Sequence, residues 1–174
     1  MAMYKIDASH SDIEFKVKHL MITTVTGKFT SFEGSMETTG DSFENASIAF
    51  SADVNSINTN NEQRDGHLKS DDFFNATAFP VLKFQSTSFT KKDEENYILT
   101  GDITIRDITK SITLIATYGG EMVDPWGQHK VGFEIEGKIS RKEFDLKWTA
   151  TTEAGGVVVS DDVKLNLAVQ LVKQ

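Results

Sequence analysis

The sequence predicts an all-β fold, an antiparallel meander of about eight strands closed into a barrel or split into a sandwich. Three observations lead there. Apolar residues recur with a period of two in segment after segment, polar turn clusters separate the segments, and no long helical stripe or fixed-period repeat runs through the chain. In order, "SDIEFKVKHL" sets Ile13, Phe15, Val17 and His19 on one face, and "SIAFSADV" sets Ile48, Phe50, Ala52 and Val54. "NYILTGDITIRD" aligns Tyr97, Leu99, Ile103 and Ile105, and "SITLIATY" aligns Ile112, Leu114, Ala116 and Tyr118. "VGFEIEGKIS" aligns Val131, Phe133, Ile135 and Ile139, and "VKLNLAVQLV" runs from Val163 to Leu171. Residues 25–36 and 80–90 alternate less cleanly: Val25 and Phe29 share a parity that Phe32 and Met36 do not, which predicts a bulge or bend between them. "TTGD", "KKDEEN", "RDITK", "DPWGQ" and "EAGG" read as turns, and the one helix expected is short, within residues 61–75.

Closure into a barrel is favoured over the sandwich because strands this long would otherwise present unpaired edges. An eight-stranded barrel has an interior that side chains just fill, or that holds one small ligand. Phe dominates the aromatics, with 12 against 3 Tyr and 2 Trp, and Phe lines apolar space without a polar atom that needs a partner. For any single Phe a packed core is the simpler reading; for the set, a cavity suited to a hydrocarbon chain explains the bias. At about 0.8 kcal/mol per buried CH₂-sized group, one isoprene unit contributes roughly 3–4 kcal/mol before the costs of association.

Composition narrows the function. A chain of 174 residues is one domain by length, and 39% hydrophobic with 25% charged residues is ordinary for a soluble globular protein. A net charge of -8 with no Lys/Arg-rich block argues against nucleic acid as a partner. With 0 Cys there is no disulfide framework and no thiolate chemistry. The opening "MAMYKIDASHS" lacks an apolar leader core, and no run approaches the roughly 20 apolar residues of a membrane helix, so a protein with no integral membrane segment is expected, cytoplasmic as the sequence stands and periplasmic if it is a trimmed mature form.

The densest polar stretch is "NNEQRDGHLKSDDFF", residues 60–74, which sets Arg64, Asp65, His67, Lys69, Asp71 and Asp72 against Phe73 and Phe74. As a solvated loop its ion pairs would count for little. His10 and Ser11 make a poor nucleophilic pair, because neighbours on a strand point to opposite faces and no G-x-S-x-G elbow occurs. His10, His19, Asp65, His67 and His129 lack any recognised zinc-ligand spacing. No catalytic residue and no metal ligand is therefore assigned. Sequons "NAS" at 45–47 and "NAT" at 75–77 carry meaning only in a glycosylating compartment.

Four ordered blocks, "DASHSDIEFKVKHLMITTVTGKFTSFEG", "SINTNNEQRDGHLKSDDFFNATAFPVLKFQST", "LTGDITIRDITKSITL" and "GFEIEGKISRKEFDLKW", closely resemble the YceI family of bacterial polyisoprenoid-binding proteins. The likeness spans residues 4 to 172. It implies a lipocalin-like antiparallel barrel, a long central hydrophobic pocket, an amphipathic lipid ligand and no established catalysis. The ligand would be a polyprenyl phosphate or diphosphate, an isoprenoid quinone or a long alkyl chain, carried or stored, in a protein induced under stress and able to form a homodimer. Against the family pattern this chain has Asp107 and Asp145 where Gly is common and Ser111 where Pro is common. If those Gly positions need positive φ, Asp is among the better substitutes, so altered turns and an unaltered fold are expected. The missing leader resembles the cytoplasmic branch.

With that resemblance, residues 60–74 become a short helical lid at one barrel mouth. Arg64 and His67 would donate to the lipid head, with His10 and His19 as second candidates, and Asp65 would orient a neighbour. Phe73 and Phe74 would cover the tail, and Phe15, Val17, Phe50, Phe84, Leu114, Phe133 and Trp148 would wall the pocket. The alternative is a metal- or acid/base-dependent hydrolase of a lipidic substrate, centred on His10, His67 and Asp65.

Overall fold

The computed structural model describes residues 1–20, 22–146 and 159–174; the expected wall residue Trp148 and the turn "EAGG" lie outside them. Among the described residues eleven strands form one antiparallel sheet: β1 (Ala2–Ile6), β2 (Asp12–His19), β3 (Thr23–Phe29), β4 (Phe32–Thr38), β5 (Ser47–Asp53), β6 (Ile57–Asn58), β7 (Val81–Lys91), β8 (Asn96–Ile105), β9 (Ile108–Val123), β10 (His129–Ser140) and β11 (Val159–Lys173).

These reduce to eight staves. β1 and β2 lie end to end along β11, with Ile6 opposite Leu171 and Asp12 opposite Ala168. β4 and β3 lie end to end along that pair, and β5 and β6 along the next. Each stave pairs with its neighbour in the chain, and β11 pairs back onto β1, so the sheet is a closed eight-stranded antiparallel barrel.

The first three staves break side by side, at the 3₁₀ turn Ala8–His10, at Thr30–Ser31 and at the 3₁₀ turn Val54–Ser56. Each break flips the inward parity. Ile6 gives way to Ile13, Phe29 to Gly34 and Met36, and Ala52 to Ile57, so apolar residues stay inside on both sides of the break. Side chains rejoin the interrupted ladder: Ser11 Oγ donates to Asp7 O at 2.7 Å and accepts from Gln170 N at 3.0 Å. Thr30 Oγ1 donates to Ser56 O at 3.2 Å, and Asp53 N to Ser31 O at 2.9 Å. A fourth parity change, between Phe84 and Phe89, is absorbed by a register shift at Ser86–Ser88.

Inward positions alternate large and absent side chains. Gly101 sits between Leu99 and Ile103, where an added Cβ would lie 2.5 Å from Phe84 Cζ and 2.6 Å from Gln85 O. Gly137 makes the same room for Leu114 Cδ2. Because one of the Gly101 clashes is with backbone, Gly101→Ala is expected to cost about 1–3 kcal/mol, read as a lower urea midpoint.

The turns that differ from the family pattern behave unequally. Asp145 takes the left-handed conformation expected of a Gly position, with φ 61°. Asp107 does not: its neighbour Arg106 takes the positive φ, 58°, in the two-residue β8–β9 turn. No helix among the described residues is long and apolar enough to cross a membrane.

Candidate functional site

The helix expected in residues 61–75 is α1 (Glu62–Lys69). Asn61 caps it, its Oδ1 accepting from Arg64 N at 3.0 Å, and the helix is polar throughout except for Leu68. Beyond its C-terminus the chain turns at Ser70–Asn75 and drives Phe73 and Phe74 into the barrel. Phe73 is 6% exposed, and Phe74 meets Phe29 edge to face at 6.1 Å. The lid is fastened by Arg106, whose Nη1 donates to Phe73 O at 2.8 Å and Asp71 O at 3.0 Å, while Nη2 pairs with Asp71 Oδ1 at 3.1 Å.

Below the lid lies a cavity of about 210 Å³ whose wall is almost wholly apolar. Eight residues expected to face a ligand tail line it: Phe15 and Val17 from β2, Phe50 from β5, Phe84 from β7, Leu114 from β9, Phe133 from β10, and Phe73 and Phe74 from the lid. Every stave contributes, and β11 supplies an unbroken stripe from Val163 to Leu171.

The two ends differ. At the end away from α1, rings from separate segments close the lumen. Tyr4 of β1 meets Phe43 at 5.9 Å, and Phe43 meets Phe133 of β10 and Tyr118 of β9 at 5.6 and 5.7 Å. Phe133 meets Tyr97 of β8 at 6.1 Å, and Tyr97 stacks on Phe89 of β7 at 4.7 Å. β1 and β8 stand on opposite sides of the eight-membered ring, so this chain of contacts crosses the barrel. Burial pushes the Tyr4, Tyr97 and Tyr118 hydroxyls up in pKa, and Glu121 (for Tyr4 and Tyr118) and Glu44 (for Tyr97) push the same way. The opposite mouth of the barrel is covered by Phe73 and Phe74.

The cation in the wall near that mouth is Arg141, on the 3₁₀ turn Arg141–Phe144 and 3% exposed. Its Nε donates to Ser160 O at 2.9 Å, Nη1 to Leu146 O at 2.6 Å and Nη2 to Val159 O at 3.1 Å, and its guanidinium carbon lies 6.0 Å from the centre of the Phe73 ring. Burial lowers its pKa, an effect Asp161 opposes. Nothing in the sequence marks Arg106 and Arg141 beyond their places directly after β8 and β10.

None of the four residues expected at the head group lines the cavity. Arg64 turns to Thr59, donating from Nε to Oγ1 at 2.8 Å and from Nη2 to the carbonyl at 2.7 Å, because Thr59 is 4% exposed and needs those partners. Asp65 receives Thr59 N at 2.9 Å, so it does orient a neighbour. His67 pairs with Asp72 at 2.8 Å and stands edge to face on Phe73 at 5.1 Å, one layer behind the wall. His19 ends β2 at the mouth, half-buried.

His10 lies in the first break, paired with Asp7 Oδ2 at 2.9 Å. The Asp7 carboxylate also accepts from Ser9 N at 3.1 Å, Ser9 Oγ at 2.7 Å and Lys130 Nζ at 3.2 Å, and these donors, Ser9 first and His10 next, hold its pKa well below the usual carboxylate range. A depressed folded pKa means the stabilisation is present above the unfolded value of about 3.9 and is lost as pH falls through the folded one. Asp7→Ala is expected to cost about 1.5–3 kcal/mol near neutral pH and to flatten the loss of stability below about pH 4, measured by urea unfolding across pH.

His10 therefore belongs to the barrel wall while Asp65 and His67 belong to the lid, and their hydrogen bonds run to different partners. Among the described residues no group of three or more His, Asp or Glu side chains is arranged to hold a metal ion.

A closed antiparallel barrel around an apolar cavity, plugged at one end and lidded at the other, is lipocalin-like in class. The YceI-like domain model matches residues 4–171, and the chain belongs to that family. It is 39% identical to Protein YceI of Shigella flexneri over 99% of this chain and 88% of that one. The crystal structure of the Campylobacter jejuni YCEI protein superposes with a TM-score of 0.77 at 33% identity, covering 90% of each chain. A polyisoprenoid-binding domain from Saccharophagus degradans, implicated in plant cell wall breakdown, shares the fold at a TM-score of 0.71 and 16% identity over 98% of both chains.

Proposed function

We propose that this protein binds one amphipathic lipid without chemically altering it, and stores or carries it with the hydrocarbon chain inside the barrel. The observation that carries the reading is the cavity itself: apolar on every stave, blocked at one end by aromatic rings and covered at the other by a lid. A chain with a polar head fits such a space in one orientation only, tail inward and head at the mouth. The Saccharophagus structure's description as polyisoprenoid-binding supports an isoprenoid or comparable long alkyl tail.

In this reading Arg141 sets the electrostatics of the mouth. Its guanidinium stays protonated and is held in place by three carbonyls, with Asp161 close enough to act on it, so a phosphate, carboxylate or quinone oxygen at the mouth would meet a fixed donor group. His67, behind Phe73, would reach the head only when the lid shifts.

Native mass spectrometry of the purified protein, followed by organic extraction, tests the proposal. One bound lipid with a prenyl or long alkyl chain is the expected result. A chain mass that stays bare after incubation with such lipids overturns the reading, and turnover of a lipidic ester would replace it with hydrolysis.

A further inference from the structure

The geometry points to a specific job for the aromatic floor: we propose that Phe89 and Phe133 form a stop that limits the length of the hydrocarbon tail the protein accepts. The inference rests on the lipid-binding reading and adds the class of ligand, a single tail of bounded length.

Two observations carry it. Phe89 and Phe133 both line the cavity and both belong to the ring cluster, so they form its inner surface, while Tyr97, Tyr118, Phe43 and Tyr4 stand behind them. Phe89 is 2% and Phe133 4% exposed, and both rings pack against others of the cluster, Phe133 on Phe43, Tyr97 and Tyr118 and Phe89 on Tyr97. A tail entering at the mouth meets this floor end on.

The distances set a scale. From Phe133 to Arg141 the chain advances eight residues, roughly 26 Å along the strand at about 3.3 Å per residue, or about 20 Å along a barrel axis to which strands tilt by about 40°. An extended chain of tetrahedral centres covers about 1.2 Å per bond, as the peptide backbone does over three bonds per residue, so about sixteen bonds separate mouth from floor. That is a palmitoyl-length acyl chain or about four isoprene units. The open volume of about 210 Å³ is smaller than such a chain needs, since an apolar cavity of about 150 Å³ accepts one benzene. Loading therefore displaces side chains of the long walls, while the floor, packed from behind, stays.

Straight-chain fatty acids of graded length, competing with a fluorescent fatty acid, read the limit directly. Affinity for the wild type is expected to rise with each added carbon and to stop rising at about sixteen. Phe133→Ala is expected to move that break upward by about four carbons, one ring depth. Ala116→Leu, which adds bulk to a cavity residue opposite Ile135, is expected to move it downward, so general loosening of the barrel cannot mimic both shifts. Phe133→Leu replaces Phe133→Ala if the latter does not fold. A wild-type affinity that climbs steadily past the break, or a break that neither variant moves, overturns the stop and leaves the carrier standing. Binding at no length overturns both.

Discussion

A Phe50→Asp protein is expected to remain folded and to lose its lipid, with affinity for a long-chain ligand falling at least about 100-fold. Phe50 projects from β5 onto the middle of the cavity wall, beside Phe84 on the neighbouring strand and 6.1 Å from Phe32. Phe50 is only partly buried in the empty barrel, so a carboxylate there keeps some contact with solvent, and the lost apolar transfer, about 2 kcal/mol, is tolerable against a typical stability of about 5–15 kcal/mol. A bound tail removes that water. Leaving an ionised carboxylate against hydrocarbon costs several kcal/mol, and about 1.4 kcal/mol is already tenfold in affinity. Thermal unfolding and native mass spectrometry on the same sample check both halves; a folded variant that keeps its lipid sinks the wall assignment.

Phe144→Ala is expected to do the converse. Phe144 is 0% exposed, lies on the 3₁₀ turn that carries Arg141, and is absent from the cavity wall. Removing a fully enclosed ring costs about 3–5 kcal/mol in transfer and void. At about 2–4 °C per kcal/mol for a chain this long, the melting temperature is expected to drop by about 6–20 °C. Lipid stoichiometry below the transition should be unchanged. A small thermal effect would mean that the turn repacks around the gap.

These two residues also show what the sequence could and could not say. Alternation identifies an inward strand residue such as Phe50 without telling whether inside means packed core or open lumen, and it says nothing of Phe144, which lies on a 3₁₀ turn. The wall was legible because each stave carries its own period-two record, and the break at Thr30–Ser31 was legible because parity changes there. The break at Ala8–His10 was not, since it falls in a short run without a large apolar residue, and that at Val54–Ser56 was not, since the strand after it is only Ile57–Asn58 and one apolar residue does not show a shifted register. The aromatic floor was invisible because its rings come from segments as far apart as Tyr4 and Phe133, and only closure of the barrel brings them together. The head-group candidates were chosen for local density of charge. Density reflected mutual satisfaction instead: Arg64 and Asp65 meet at Thr59, and His67 meets Asp72, whereas the cation in the wall, Arg141, follows an unremarkable strand end.

The seam of the barrel has a temporal meaning as well. Tyr4 pairs with Lys173 and Ile6 with Leu171, so the first and last strands of the chain complete the ring. Contacts of such high sequence separation form slowly, because the entropy of closing the whole chain into a loop must be met before they reward it. Until β11 has emerged from the ribosome and found β1, the ring is open and the apolar face of the sheet stands bare to water. A lipid present at that moment would be a folding partner, shielding the face that the last strand has yet to cover. Refolding from denaturant should accordingly be slow on its own and faster, with less aggregation, when micellar long-chain lipid is supplied.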